Sequence, residues 1–200
     1  MPPKLLLGTN NQAKIREYRS LLADLPHQLV TLAEQGITTV VDETGKTLEE
    51  NARLKATRLA AESHLLTLAD DSGLEVDALG GEPGPLSARY AGENTSDRDR
   101  IDYLLARLRD VPWARRTARF RCVIAIAVPD GEVTLCAGEC PGLITFAPRG
   151  EYGFGYDPVF YLPEMDRTMA ELSPEVKNRL SHRGQAARQV RRILERSGEQ

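Results

Sequence analysis

Few cysteines, few aromatics and little net charge set the first limits on this 200-residue chain. Its three cysteines, Cys122, Cys136 and Cys140, are odd in number and lack the spacing of a disulfide framework. Neither a further Cys nor a His lies near enough to Cys136 and Cys140 to suggest a zinc set. Cys122, inside the apolar run R-F-R-C-V-I-A-I-A-V, reads as a buried core thiol. Long apolar stretches are absent: Val123–Val128 falls far short of the roughly 20 residues that cross a bilayer. The start, M-P-P-K-L-L-L-G-T, turns polar too soon to carry a signal peptide's apolar stretch. Aromatic residues make up 6% and the net charge is −3, against the basic footprint of a dedicated nucleic-acid binder. The sequence also lacks G-x-x-x-x-G-K and G-x-G-x-x-G, so it offers neither a P-loop nor a dinucleotide turn. These absences lead us to expect a reduced, cytoplasmic protein working away from membranes and nucleic acid.

What is present is ordinary globular material, with 41% hydrophobic and 28% charged residues. A chain of this length buries roughly 70% of its extended surface and needs no metal or disulfide to fold. We find no internal repeat, low-complexity segment or linker, and read residues 1–200 as one domain. Lys4–Leu7 reads as a strand running into a polar cluster, and Ile15, Tyr18, Leu21, Leu22 and Leu25 recur at helical spacing after it. A second short extended stretch is expected to end at Val40-Val41. Thr47-Leu-Glu-Glu50 has the form of a capping box and opens a helix to about Ser63. Leu65–Ala69 reads as a buried strand ending at D-D-S-G. Thr95-Ser96-Asp97 starts another helix. Arg119–Val128 and Val133–Ala137 form a hairpin about Asp130-Gly131, expected as a type I′ turn. Leu143–Phe146 and Val159–Leu162 are further strands, Ser173-Pro174 caps a short helix, and a last helix begins near Gly184. Helices and strands interleaved early, with strands clustered in the middle, predict an α/β fold with a mixed sheet.

Four segments carry chemistry. T-N-N-Q-A-K, Thr9 to Lys14, lies at a strand-to-helix junction, where free N–H groups and the positive helix end suit a phosphate; an N-cap with a solvated Lys14 is the alternative. A-D-D-S-G, Ala69 to Gly73, places adjacent carboxylates at a strand end. Side chains alternate along an extended chain, so Asp70 and Asp71 should point apart, and only one serves as a metal ligand on a given face. Asp42-Glu43 offers a second acidic pair, and one carboxylate from each suits Mg²⁺ with waters and substrate phosphates; Asx-turns and a helix-leading charge explain the same residues without function. E-Y-G-F-G-Y-D-P, Glu151 to Pro158, sets two glycines among aromatics, which suits a stacked planar base or, equally, a turn whose rings plug the core. K-N-R-L-S-H-R-G, Lys177 to Gly184, gathers Lys177, His182 and Arg183 about a helix break at Ser181. Together these groups describe a nucleotide site.

The same segments resemble the inosine triphosphate pyrophosphatase family, the XTP/dITP diphosphatases. The resemblance runs along the whole chain: T-N-N-Q-A-K, E-T-G-K-T-L-E-E-N-A-R-L-K-A at 43–56, A-D-D-S-G-L-E-V-D-A-L-G-G-E-P-G at 69–84, S-A-R-Y at 87–90, G-F-G-Y-D-P at 153–158 and L-S-H-R-G at 180–184. It implies an elongated mixed β-sheet flanked by helices, in two lobes with the active site in the cleft between them, and commonly a homodimer. It implies that Thr9, Asn10, Asn11, Gln12, Ala13 and Lys14 bind the triphosphate with Lys55. Glu43 and Asp71 would surround Mg²⁺, with Asp71 as proton acceptor and Ser72 touching substrate beside it. Phe154 would stack on the base, Gly155, Tyr156 and Asp157 would complete that wall, and Lys177, His182 and Arg183 would read the base edge. The family commonly has Gly where Asn10 stands, and Asn is the next best residue for a left-handed backbone.

The implied reaction turns a non-canonical purine nucleoside triphosphate (ITP, dITP or XTP) and water into the monophosphate and pyrophosphate. Arg183, a donor only, would favour a 6-keto oxygen over a 6-amino group. Three other readings stand beside it. One is a related pyrophosphatase for pyrimidine or modified nucleotides. Another is an aspartyl phosphatase, disfavoured because D-D-S-G lacks D-x-D. The last is a nucleotide- or RNA-binding module built on Arg188, Arg191, Arg192 and Arg196.

Overall fold

A run of three leucines after Lys4 makes β1 (Lys4–Leu7), whose leucines are all buried in the computed structural model, which describes residues 2–197. α1 (Gln12–Leu21) follows, then β2 (Gln28–Thr31), which lies parallel to β1 with Lys4 opposite Gln28 and Leu7 opposite Thr31. α2 (Leu48–Ser63) leads into β3 (Leu66–Val76), parallel to the other side of β1 with Leu5 opposite Leu66. The short β4 (Pro83–Gly84) pairs antiparallel with β3. After α3 (Asp97–Arg107) come β5 (Thr117–Ala127), β6 (Val133–Ile144), β7 (Phe160–Leu162) and β8 (Arg167–Thr168), and the chain closes with α4 (Pro174–Leu180) and α5 (His182–Ser197). Among the described residues the sheet has eight strands in the order β2-β1-β3-β5-β6-β7-β8, with β4 on β3. Parallel pairs at one end and antiparallel pairs at the other make this the mixed α/β sheet expected from the sequence.

By internal packing the chain forms two compact units. Among the described residues the first comprises 2–71, Cys122–Gly138 and 183–197; the second comprises Ser72–Arg121 and Glu139–His182. In the first unit β5 buries both faces, which is why C-V-I-A-I-A is continuously apolar. Cys122, Ile124 and Ile126 join Leu5, Leu7, Tyr18, Leu22, Ala186 and Val190. Val123, Ala125 and Ala127 face Leu48, Ala52, Ala56 and Ala60 of α2. Small residues on both sides of that second contact let α2 lie close to the strands. The second unit has its own core, built from Leu74, Ile101, Leu104, Phe120, Phe160 and Met169 among others.

Several local expectations are corrected. The second strand is Gln28–Thr31, not a stretch ending at Val40-Val41; Val40 is 80% exposed and lies outside the regular elements. Pairing with β1, not local hydrophobicity, makes a strand of Q-L-V-T. β3 does not stop at D-D-S-G but runs through it to Val76, with β5 as its neighbour in the sheet and β4 paired at Leu74 and Glu75. Leu143 and Ile144 belong to the end of β6, not to a separate strand. The hairpin turn closes with Gly131 N–H donating to Val128 C=O, so Pro129 and Asp130 are central and Asp130 alone takes positive φ. Proline's fixed φ claims the first central position and displaces the Asp-Gly type I′ turn. α5 starts at His182, two residues before Gly184.

Candidate active site

In the first unit, the junction after β1 is an N-cap. Asn11 Oδ1 accepts from the N–H groups of Ala13 (2.9 Å) and Lys14 (3.1 Å), and Asn11 N–H donates to Thr9 Oγ1. Gln12 opens α1 and reaches back to the Asn10 carbonyl. Asn10 is exposed and is not among the residues with positive φ, so this turn needs neither a glycine nor its closest substitute at position 10. The N-cap reading of this segment therefore holds, but its companion does not. Lys14 is not solvated: its ammonium lies 2.9 Å from Asp70 Oδ2, and its side chain is 15% exposed.

Asp70 and Asp71 do point to opposite sides of β3, as strand alternation requires. Asp70 is buried beside Lys14, with an Arg183 Nη2 at 3.7 Å and the Cys122 thiol at 3.9 Å, itself 3.9 Å from the Tyr18 hydroxyl. Its other oxygen, Oδ1, is buried without a hydrogen-bond partner. Burial alone would raise this carboxyl, but Lys14, Arg183 and Lys55 outweigh it and hold the group well below the usual range. Asp71 faces α2. There Asn51 Nδ2 donates to Asp71 Oδ2 at 3.1 Å and Lys55 Nζ stands 3.7 Å from Oδ1. Desolvation is the largest influence on Asp71 and raises it; Lys55 opposes and the Glu43 charge adds to the rise. A carboxylate raised in this way is the better proton acceptor.

Thr47 caps α2 by accepting from Glu50 N–H, yet Glu50 returns its carboxylate to Lys46 N–H instead of closing the box on Thr47. One turn on, Asn51 and Lys55 share a helix face. Lys55 Nζ donates to Glu43 Oε1 at 2.6 Å, so Glu43 and Asp71 both border a single cation. Their charges and that of Asp70 offset the desolvation of Lys55 and leave its ammonium above its usual range. Among the described residues no three His, Cys, Asp or Glu side chains converge as a protein-only cation cage. Two carboxylates around one positive group do fit a hard divalent ion, which takes one or two such ligands and completes its shell with phosphate oxygens and water.

In the second unit, G-F-G-Y-D-P forms a tight loop. Asp157 is buried and its Oδ2 accepts from Phe154 N–H (2.8 Å) and from Lys177 Nζ (2.5 Å). The Lys177 ammonium lies 4.7 Å from the centroid of the Phe154 ring. Tyr156 is buried and donates its hydroxyl to the Ser87 carbonyl, while Gly155 N–H donates to Asp97 Oδ2 at 2.6 Å. The core-plugging reading holds for Tyr156, while Phe154 stays partly exposed. His182 is buried and stacked on Phe120, centroids 4.8 Å apart at 15°. Ser72 begins this unit on β3 and is half-buried.

Arg183 belongs to the first unit. Its guanidinium is buried, 2.7 Å from Glu17 Oε2 and near Asp70, over the Tyr18 ring. The structure therefore places Lys177, Asp157 and Phe154 together, and Arg183 with Lys14, Asp70 and Glu17. Sequence reasoning missed Asn51, Glu17 and Asp97. Asn51 had a signal: it is a polar residue four before Lys55 on the buried stripe of α2, between Leu48 and Ala52. Glu17 and Asp97 meet partners 166 and 58 positions away, which no local spacing reveals.

The mixed sheet, with lysines paired to Asp70 and Glu43 in one unit and an aromatic loop beside a buried lysine in the other, defines an α/β protein. The chain belongs to the Ham1 family, whose model matches residues 5–193. It is 50% identical over 193 residues to the dITP/XTP pyrophosphatase of Desulforamulus reducens, covering 96% of each chain. Against the dITP/XTP pyrophosphatase of Bacillus subtilis the identity is 44% over 190 residues, 95% of this chain and 96% of that one. The solved HAM1 protein from Coxiella burnetii superposes with a TM-score of 0.89 at 42% identity, covering 97% of this chain and 99% of that one.

Proposed function

We propose that this protein hydrolyses ITP, dITP and XTP to the nucleoside monophosphate and pyrophosphate, clearing non-canonical purines from the nucleotide pool. The observation that carries the reading is Asp71: a raised carboxyl, hydrogen-bonded by Asn51, beside Lys55 and Glu43. The names of relatives at 44% and 50% identity support the substrate class. Asp71 accepts the proton of the attacking water. Thr9, Asn10, Asn11, Gln12, Ala13 and Lys14 hold the triphosphate; its oxygens meet Lys14 and the Thr9 and Asn11 side chains at a helix end already positive by its dipole. Lys14 and Lys55 stabilise charge on the departing pyrophosphate. Glu43 and Asp71 hold a divalent ion, Mg²⁺ in our reading, which when bound offsets phosphate charge and lowers the pKa of water. Ser72 contacts the substrate beside Asp71.

Phe154 stacks on the base, with Gly155, Tyr156 and Asp157 as its wall. Lys177, His182 and Arg183 read the base edge, Arg183 toward the 6-keto oxygen. We read residues 1–200 as a single pyrophosphatase domain, active as a cytoplasmic homodimer, with a small-molecule nucleotide as substrate and without nucleic acid or membrane. The charge of −3 supports the exclusion of nucleic acid. Among the described residues no helix is long and apolar enough to cross a membrane.

The test is turnover of ITP, XTP, ATP and GTP with Mg²⁺, scoring pyrophosphate and orthophosphate separately. Pyrophosphate from ITP and XTP with little from ATP or GTP is expected. Asp71→Asn should keep the fold and lose on the order of 10²-fold or more in kcat. Orthophosphate as product, equal rates on all four, or full activity of the variant would overturn the reading.

A further inference from the structure

Asp97 sits at the first position of α3, behind a capping box in which Ser96 and Asp99 satisfy each other, so its backbone is fixed by the helix. Its two carboxylate oxygens serve different partners. Oδ1 pairs with Arg100, whose other guanidinium nitrogen donates to the carbonyls of Ala88 (3.0 Å) and Thr95 (2.6 Å). Oδ2 accepts from Gly155 N–H at 2.6 Å, 58 residues away in sequence. Gly155 has φ +62° with open space where a Cβ would go, so no side chain of its own packs there and its N–H bond to Asp97 is a direct remote tie on this residue. The preceding N–H, of Phe154, is held by Asp157. Two successive N–H groups are thus each gripped by a charged acceptor, one local and one remote, and the ring between them lies over Lys177.

We propose that Asp97 is a positioning residue for base recognition: it sets the aromatic loop by holding Gly155 N–H, and so fixes the pose of the Phe154 ring. It touches no substrate and acts through Gly155. This rests on the reading of Phe154 as the base platform. A hydrogen bond to a charged group is worth enough that its loss corresponds to about tenfold or more in binding. The expected effect falls on the base end of the substrate and spares the phosphate end.

The experiment compares Asp97→Ala with Asp97→Asn, which keeps an acceptor oxygen but loses the charge pair with Arg100. Asp97→Ala should raise the KM for ITP and XTP about tenfold with kcat changed less than about twofold, and Asp97→Asn should recover most of that KM. Inhibition by inorganic tripolyphosphate, which has no base, should be the same in all three proteins. Hydrogen exchange of the Gly155 amide should be slow in the parent and in Asp97→Asn and fast in Asp97→Ala. That last readout needs no turnover, so it separates this inference from the substrate assignment. Fast Gly155 exchange without a KM shift would overturn the role in recognition. Equal exchange in Asp97→Ala and the parent would overturn the positioning itself. Equal losses in both variants, or weakened tripolyphosphate inhibition, would assign Asp97 a general structural role instead.

Discussion

Asp70 and Asp71 differ by one step along β3, and their surroundings push their carboxyls in opposite directions. Asp70 meets Lys14 and Arg183 on one side of the strand and is held low. Asp71 is desolvated on the other side, where the Glu43 charge adds to the rise and Lys55 and Lys14 only partly oppose it, and it is raised. The alternation that separates them was readable from the sequence, because it follows from extended backbone alone. Spacing left open which of the two is the candidate base, and only the resemblance pointed to Asp71; the physical reason lies in what α1, α2 and α5 bring to each side. Asn51 is the clearest case. Its Oδ1 accepts from Gly45 N–H at 2.8 Å and its Nδ2 donates to Asp71, so it ties the candidate base to the loop that carries Glu43. Asn51→Asp keeps the shape and the acceptor for Gly45 but turns the donor facing Asp71 into a like charge. We expect kcat for ITP to fall about tenfold or more, with a stability loss of about 1–3 kcal/mol that still leaves a cooperative unfolding transition. Unchanged kcat in a folded Asn51→Asp protein would show that Asp71 needs no orientation from α2.

Among the elements, the aromatic loop is sensitive to a single substitution. A Cβ built at Gly153 would lie 2.1 Å from Asp157 Oδ2, on a residue with φ +77°. Gly153→Ala therefore pushes on the carboxylate that holds both Phe154 N–H and Lys177, and strains the backbone as well. We expect a stability loss on the order of 1–3 kcal/mol, read as a lower melting temperature, together with a higher KM for ITP. An unaltered melting temperature would mean the loop relaxes without strain. Helix starts were the best-read elements: Thr47, Ser96 and Ser173 cap helices where their residue types place them. Strand extents were the worst read. β3 passes through D-D-S-G and β6 passes Pro141-Gly142, because pairing with a neighbouring strand overrides the local turn chemistry of those residues.

On the scale of the whole molecule, Asp70 carries a prediction about acid. Its folded carboxyl lies below its unfolded value, so it adds stability that is complete above about pH 4 and lost as pH falls through the folded value. Asp71, raised in the fold, works in the opposite sense and subtracts stability as pH rises past that same ordinary value. Stability measured by urea unfolding should therefore fall from pH 5 to pH 3 less steeply in Asp70→Asn than in the parent. Parallel slopes would show that Lys14 and Arg183 do not hold Asp70 in the charged form.

Taken alone, the amino-acid sequence determined the α/β class, the helix caps, the alternation of the two aspartates and the family resemblance. The caps and the alternation are local patterns, set by hydrogen bonding within a few residues or by the period of a strand. The class follows from the order of such elements, and the resemblance from short segments spread along the chain. Tertiary structure alone decided that Lys14 pairs with Asp70, that Arg183 joins Glu17, that Asn51 holds Asp71 and that Asp97 reaches Gly155. Each joins residues whose separation in sequence says nothing about their distance in space. Only the packing of helices on the sheet brings such groups within reach, and it sets how much water each charge keeps.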